Sequence, residues 1–170
     1  LHMTDSKAIG ELVEDVVVDA VDGIDPVDEA DDYWHDAVST GPIGARADLA
    51  TAGLDLDDVD DGTPIEIKGA RYRISEGTGE AIGRFYIRQK QHGKLLDAGG
   101  LYLLAVYRPT QGVDGDFDLE LAGLVVASAD VVEATRNSWY ELDRRETYTQ
   151  VRWADFPFNG ELASETKVSG

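Results

Sequence analysis

Cysteine is absent from this chain of 170 residues, and histidine occurs only three times. Without cysteine the chain can form neither disulfide bonds nor a thiolate zinc site, and three scattered histidines argue against an imidazole metal site. A chain that needs no disulfides is suited to a reducing compartment, so we expect a cytoplasmic protein.

Long apolar runs are also missing. No stretch approaches the length of a membrane span, and the start of the chain has no signal-peptide pattern, so we expect neither a membrane partner nor secretion. Leu1 and His2 precede Met3 and resemble a cloning remnant, so we expect residues 1–5 to be tag-derived or disordered. The length suits a single domain over residues 1–170, with a loose polar tail over residues 159–170.

Lysine is scarce: the chain has five lysines and ten arginines against 34 acidic residues, and its net charge is −19. An acidic, lysine-poor surface is typical of halophilic proteins, because high salt screens its self-repulsion. So negative a charge argues against nucleic-acid binding, which positive charge drives. The distribution weakens that objection, since residues 1–61 carry a net charge of −16 whereas residues 62–94 carry +4.

The positive segment begins with a predicted β-hairpin. Alternating residues predict strands over 47–56 and 64–74, joined by the acidic turn 57–62. Glu66 and Lys68 are two residues apart and therefore share one face of the second strand. The first strand places Asp48 across the hairpin from them and Asp55 nearer the turn, so either aspartate can be the second acid.

Two acids and a lysine that converge in this way can hydrolyse a phosphodiester. The carboxylates provide the hard oxygen ligands that Mg²⁺ or Mn²⁺ prefers, and the ammonium group of Lys68 can orient the attacking water. The alternative is an ordinary exposed ion pair between Glu66 and Lys68 on a solvated strand.

The remaining pattern predicts an α/β fold with a central mixed β-sheet flanked by helices. A helical apolar period over 6–21 carries Glu14 on its flank, and the apolar run 101–107 predicts a central strand. Ser128 or Asp130 is the predicted N-cap of a short helix that ends at Arg136. The other predictions are strands over 33–38, 117–126 and 147–153, loops over 39–44 and 75–79, and a helix over 83–98.

The order Glu14, Asp48-Leu49, Glu66-Ile67-Lys68 resembles the PD-(D/E)xK nuclease superfamily, although Ala47 replaces the proline of its name. Within that superfamily the chain is most similar to archaeal Holliday-junction resolvase-like endonucleases. The resemblance implies a restriction-endonuclease-like fold and a metal held by Asp48, Glu66 and the Ile67 carbonyl. It further implies Lys68 at the nucleophile and Glu14 in an outer catalytic position, and it favours a homodimer.

DNA is the partner that this resemblance implies. On the predicted helix over 83–98, Arg84, Arg88 and Gln91 form a polar stripe that can follow a DNA backbone. The candidate DNA-binding residues are Arg71, Arg73, Arg84, Arg88, Gln89, Lys90, Gln91 and, in the loop over 39–44, Ser39.

We therefore predict a Mg²⁺- or Mn²⁺-dependent endodeoxyribonuclease of a halophile, a hydrolase that resembles junction resolvases. One alternative is a catalytically inactive nuclease-fold module that binds or assembles without a metal. Another is an unrelated halophilic domain in which Glu66 and Lys68 are an exposed pair.

Overall fold

A computed structural model describes residues 6–27, 34–45, 49–142 and 146–166. Its three α-helices are α1 (Ser6–Ala20), α2 (Gln89–Asp97) and α3 (Ala129–Thr135), and 3-10 helices span Leu56–Asp58, Trp153–Asp155 and Gly160–Glu165. The strands are β1 (Val21–Pro26), β2 (Ala37–Ala45), β3 (Leu49–Ala52), β4 (Pro64–Arg71), β5 (Arg73–Glu76), β6 (Gly79–Ile82), β7 (Arg84–Arg88), β8 (Leu101–Gln111), β9 (Phe117–Ser128), β10 (Tyr140–Leu142) and β11 (Glu146–Arg152).

A six-stranded mixed sheet in the order β1-β2-β4-β8-β9-β3 forms the centre of the molecule. Strand β4 runs parallel to β8, β3 runs parallel to β9, and the other neighbours are antiparallel. A three-stranded sheet, β10-β11-β7, and the β5–β6 hairpin complete the described strands. The predicted α/β class and mixed central sheet flanked by helices are confirmed.

Strand β8 separates two apolar cores, because its alternate side chains point to opposite faces of the sheet. Leu101, Leu103 and Ala105 belong to the core that contains Val13 and Val17 of α1. On the other face, Tyr102, Leu104 and Val106 belong to the core that contains Phe85, Leu95, Val132 and Val151. A strand covered on both faces explains why β8 is apolar almost throughout.

The predicted hairpin is wrong. Strand β3 pairs in parallel with β9, with Leu49 opposite Leu124, whereas β4 lies between β2 and β8. An alternating pattern indicates that a segment is a strand but does not identify its partner. Here the partner of β3 is more than 70 residues away in the chain, beyond the reach of a local pattern.

The predicted helix over 83–98 is partly wrong, because its first residues form strand β7. Arg84 and Arg88 are exposed while Phe85 and Ile87 are buried, a period of two that fits the pairing of β7 with β11. The helix begins only at Gln89. Similarly, residues 39–44 belong to β2 rather than a loop, and residues 75–79 contribute to the β5–β6 hairpin. Residues 34–36 of the strand predicted over 33–38 are bends that precede β2.

Several local predictions are confirmed. Helix α1 and strands β8, β9 and β11 lie where the pattern places them, and Ser128 caps α3 by accepting a hydrogen bond from the Val131 amide (3.2 Å). Where we expected a loose tail, the 3-10 helix Gly160–Glu165 buries Leu162, and Glu165 pairs with Arg73. In the described part of the chain, no helix is long and apolar enough to cross a membrane.

Candidate active site

The candidate site lies where β2 and β4 separate. These strands pair only at Ala37 with Ile65 and at Val38 with Pro64. The Asp36 amide still donates to the Ile65 carbonyl (3.1 Å), but residues 34–36 are bends rather than strand. Beyond Ile65, the edge of β4 is therefore no longer paired with the backbone of β2.

Asp36 occupies this opening. Its Oδ2 accepts a hydrogen bond from the Ile67 amide (2.8 Å), in the place that a backbone carbonyl of β2 would otherwise take. The N–H and C=O of one strand residue point to the same side, so the Ile67 carbonyl also faces the opening. The separation of β2 from β4 thus brings a carboxylate and a backbone carbonyl to one edge of β4.

Glu66 is the most deeply buried acid of the site, with 2% of its surface exposed. Burial, followed by hydrogen bonding to Asp36 and the Asp36 charge, raises the pKa of Glu66 far above its ordinary value, and Lys68 offsets only part of this. Its Oε2 atom is buried and has no hydrogen-bond partner among the residues that the structure describes. A buried carboxylate oxygen in this state calls for a proton, a water or a cation.

Glu14 reaches the same place from helix α1. Burial raises its pKa to about 7, and the charge of Asp36 and a hydrogen bond to Asp36 act in the same direction. The nearby Lys68 opposes this rise in pKa. Asp36 is therefore the central acid, because it raises the pKa of both Glu14 and Glu66.

Lys68 shares a cavity with the three acids. The cavity has a volume of about 470 Å³ and is lined by Glu14, Asp36, Glu66, Ile67 and Lys68. Helix α1 borders it on one side, and Tyr86 and Arg88 of β7 border it on the other. The lysine is half-buried, so its charge acts on carboxylates that are partly removed from water.

The donor set fits a hard divalent cation. Carboxylate oxygens and a backbone carbonyl are the ligands that Mg²⁺ and Mn²⁺ favour, and Glu66 Oε2 is an oxygen that needs a partner. Among the described residues, however, no three His, Cys, Asp or Glu side chains are already placed to hold a metal ion together. The proximity of the acids raises the pKa of Glu14 and Glu66, so a cation that binds there would have to displace protons.

The prediction of Asp48 as the second acid stays a prediction, and the structure brings a further acid, Asp36, to the site. Asp48 lies outside the described residues, and Asp55 is the N-cap of the 3-10 helix Leu56–Asp58, where its Oδ1 accepts from the Asp57 amide (3.0 Å). Asp36 was missed. Its signal was an acid inside the apolar run Trp34-His35-Asp36-Ala37-Val38, which we interpreted only as strand.

The interpretation of Glu66 and Lys68 as an exposed pair is wrong. A carboxyl group with 2% exposure is not on a solvated face, and a halophilic surface does not explain a buried acid. The burial of Glu66 therefore favours a functional or a deliberately structural role for this pair.

The predicted DNA-binding residues separate into two groups. Arg88, Gln89, Lys90 and Gln91 line a second cavity, which adjoins the first. The others lie elsewhere: Arg84 is near Glu76, Arg71 is exposed at the end of β4, and Arg73 stacks on Tyr72 (4.1 Å).

Ser39 is not available to a DNA backbone. It is 1% exposed, donates to the Asp60 carbonyl (2.6 Å) and accepts from the Thr63 amide (3.0 Å). Both contacts fasten the acidic turn to β2, so the role of this serine in the structure is internal.

A family model described as a PD-(D/E)XK nuclease superfamily domain matches residues 2–157. No curated protein and no solved structure matches the chain. The match covers every element that lines the candidate site, and it extends through β11.

Proposed function

This chain belongs to the PD-(D/E)XK nuclease superfamily, and from that premise we propose that it is a metal-dependent endonuclease that hydrolyses DNA. The observation that carries the proposal is the group of Glu14, Asp36, Glu66 and Lys68 at the open edge of β4. A buried acid without a partner for one oxygen among the described residues destabilises the fold. Such a destabilising group is typical of functional sites, and a metal ligand in a nuclease site accounts for it.

Asp36, Glu66 and the Ile67 carbonyl would hold the cation, with Glu14 in an outer position. Mg²⁺ or Mn²⁺ bound there would polarise the scissile phosphodiester and lower the pKa of a bound water. Lys68 would orient the attacking water and offset the negative charge that develops on the phosphate. Asp48, predicted from the sequence as a ligand, remains a competing proposal to Asp36.

The first test is cleavage of labelled duplex and four-way-junction DNA in molar KCl with Mg²⁺ or Mn²⁺. We expect metal-dependent cutting that Lys68→Ala and Glu66→Ala both abolish. Folded wild-type protein that cuts neither substrate, or variants that cut as well as wild type, would contradict the proposal. The ratio of junction to duplex cutting tests the resolvase-like selectivity. That selectivity would require a homodimer.

A second candidate function is a nuclease-fold module that binds or assembles without chemistry. The observation that favours it is that no three His, Cys, Asp or Glu side chains of the described residues are placed to hold a metal ion, while the pKa of Glu66 is raised. Calorimetric titration with Mn²⁺ at pH 8 separates the two candidates. The module binds no metal at this site, whereas the nuclease binds it and loses that binding in Asp36→Asn.

The acidic surface leads us to propose that the protein works in high salt. With a net charge of −19, self-repulsion opposes folding in dilute buffer and is screened in concentrated salt. All activity measurements therefore belong in molar KCl, with the folded state verified by circular dichroism.

A further inference from the structure

A second cavity adjoins the candidate active site. It has a volume of about 850 Å³, and Trp34 and Arg88 line both cavities. The second cavity continues along the start of α2, past Lys90 and Lys94, and on its other side it meets Glu146 of β11. A strand whose phosphate lies beside Lys68 can therefore continue directly into it.

The second cavity is cationic in a strongly anionic molecule. Lys90 and Lys94 are exposed, lie one helical turn apart on α2, and have no carboxylate within ion-pair distance among the described residues. Of the five lysines in the chain, two line this cavity, and Lys7 and Lys68 line the first. Two acids also line it, Glu141 and Glu146, but Glu146 is already paired with Arg88 (2.6 Å).

An aromatic side chain marks the junction between the two cavities. Trp34 is half-buried, and its carbonyl accepts a hydrogen bond from Gln91 Nε2 at the start of α2 (3.0 Å). That bond ties the bend over residues 34–36, which also carries Asp36, to the helix that carries the lysines. A partly exposed indole beside lysines is suited to stacking a base whose phosphates the lysines neutralise.

We propose that this second cavity binds unpaired nucleotides of the DNA strand that is cut, with a base against Trp34 and the backbone along Lys90 and Lys94. The inference rests on the proposed nuclease function and names its substrate class as DNA with a single-stranded segment next to the scissile phosphate. Bases within an intact duplex are already stacked and paired, so they offer no free face to Trp34.

The test measures binding apart from cleavage. Fluorescence anisotropy of a labelled single-stranded oligonucleotide and of a blunt duplex of the same sequence is followed in EDTA over a series of KCl concentrations. Every protein carries Glu66→Gln, whose uncharged amide resembles the protonated acid of the metal-free site, and EDTA withholds the metal, so no DNA is cut. The added variants are Trp34→Ala, Trp34→Phe, Lys90→Glu and, as a control with the same change in charge, Arg152→Glu. Arg152 is 50% exposed and lines neither cavity.

We expect Trp34→Ala to weaken single-strand binding about tenfold, Trp34→Phe to retain most of it, and neither to change duplex binding. Lys90→Glu should weaken single-strand binding and reduce its salt dependence, whereas Arg152→Glu should do neither. The inference is overturned if the parent does not bind the single strand. It is also overturned if Trp34→Ala leaves that binding unchanged or Arg152→Glu matches Lys90→Glu. Melting curves for each variant identify any loss that comes from unfolding.

A second experiment separates this inference from the proposed function. It measures DNA cleavage by variants that carry the same substitutions but retain Glu66. Binding that depends on Trp34 in a protein that cuts no DNA would retain the nucleotide subsite and reject the nuclease. Metal-dependent cutting in a protein whose single-strand binding ignores Trp34 and Lys90 would retain the nuclease and reject the subsite.

Discussion

Asp36 is the residue on which the site depends, because it raises the pKa of Glu14 and Glu66 and accepts a hydrogen bond from the Ile67 amide. We expect Asp36→Asn to reduce Mn²⁺ affinity by at least about tenfold and to abolish metal-dependent cutting, since the amide removes a charge but keeps an oxygen for Ile67. Asp48→Asn is the matched comparison, measured by the same calorimetric titration. If Asp48→Asn alone loses the metal, the ligand assignment made from the sequence was the right one.

The raised pKa of Glu66 predicts how the stability of the metal-free protein depends on pH, which can be measured without a substrate. Below its ordinary pKa of 4.5, Glu66 is protonated in both the folded and the unfolded protein. As the pH rises toward the elevated pKa of the folded state, the unfolded chain binds fewer protons than the folded one, so stability falls. We expect Glu66→Gln to stabilise the metal-free protein by about 1–3 kcal/mol at pH 8 and to change little at pH 4.

The same variant also tests whether Glu66 binds the metal. Urea unfolding at both pH values, with and without Mn²⁺, measures how far the metal stabilises each protein. Mn²⁺ should stabilise the wild-type protein at pH 8, because it binds only the ionised acids of the folded state, and should not stabilise Glu66→Gln. An equal response of the two proteins to Mn²⁺, or a destabilised Glu66→Gln at pH 8, would show that Glu66 is not held as a metal ligand.

The sequence identified Glu66 and Lys68 because their relation is local: two residues on one strand share a face whatever the strand pairs with. Asp36 could not be assigned in that way. Its position depends on where β2 and β4 separate and on the bend over residues 34–36, and neither is encoded in the period of the pattern. Burial was equally hidden, since the acidic composition favours interpreting any glutamate as surface.

At the scale of elements, strands with a strong apolar pattern were predictable and their partners were not. Strand β8 is apolar because both its faces are covered, which is visible in the letters alone. The parallel pairing of β3 with β9, and the change from β7 to α2 between Arg88 and Gln89, depend on contacts with distant segments. These long-range contacts overrode the hairpin and the single helix that the local sequence suggested.

The packing of α1 on β4 positions Glu14, and Gly69 of β4 lies against Val13 of α1. A Cβ at Gly69 would lie 3.0 Å from both methyl groups of Val13, one residue before Glu14. We expect Gly69→Val to push α1 outward, cost about 1–3 kcal/mol in urea unfolding, and lower metal-dependent cutting further than stability alone accounts for.

Gly93 in α2 is the matched glycine, because a Cβ there would meet nothing within 4 Å. Gly93→Ala should stabilise the protein by about 0.5–1 kcal/mol through helix propensity and leave cutting unchanged. Cutting by Gly69→Val at the wild-type rate, in protein shown to be folded, would mean that the placement of Glu14 does not matter for the reaction.

At the scale of the whole molecule, charge is divided between a repulsive surface and a local cationic patch. The net charge of −19 keeps the chain apart from nucleic acid in general, while Lys90 and Lys94 place positive charge in the cavity next to the acids of the site. Arg88 adds little to it, because its charge is paired with Glu146. Non-specific association with DNA should therefore be weak, and binding should depend on contacts that survive screening, of which aromatic stacking is one.

The same charge predicts how stability depends on salt. We expect the thermal midpoint to rise as the KCl concentration increases from roughly 0.1 to 2 M, because the Debye length falls from about 10 Å to below 3 Å and self-repulsion weakens.

The triple variant Asp58→Asn, Asp60→Asn, Asp61→Asn removes three charges from the acidic turn before β4. Those three aspartates are exposed, and the hydrogen bonds of Asp60 to Ser39 and Thr63 involve its backbone carbonyl, so the substitution leaves them in place. The variant should therefore melt higher than wild type in 0.1 M KCl and show a smaller rise with salt. If both proteins gain equally from KCl, the stabilisation comes from a general effect of salt on apolar burial, and the acidic surface is not an adaptation to salt through charge.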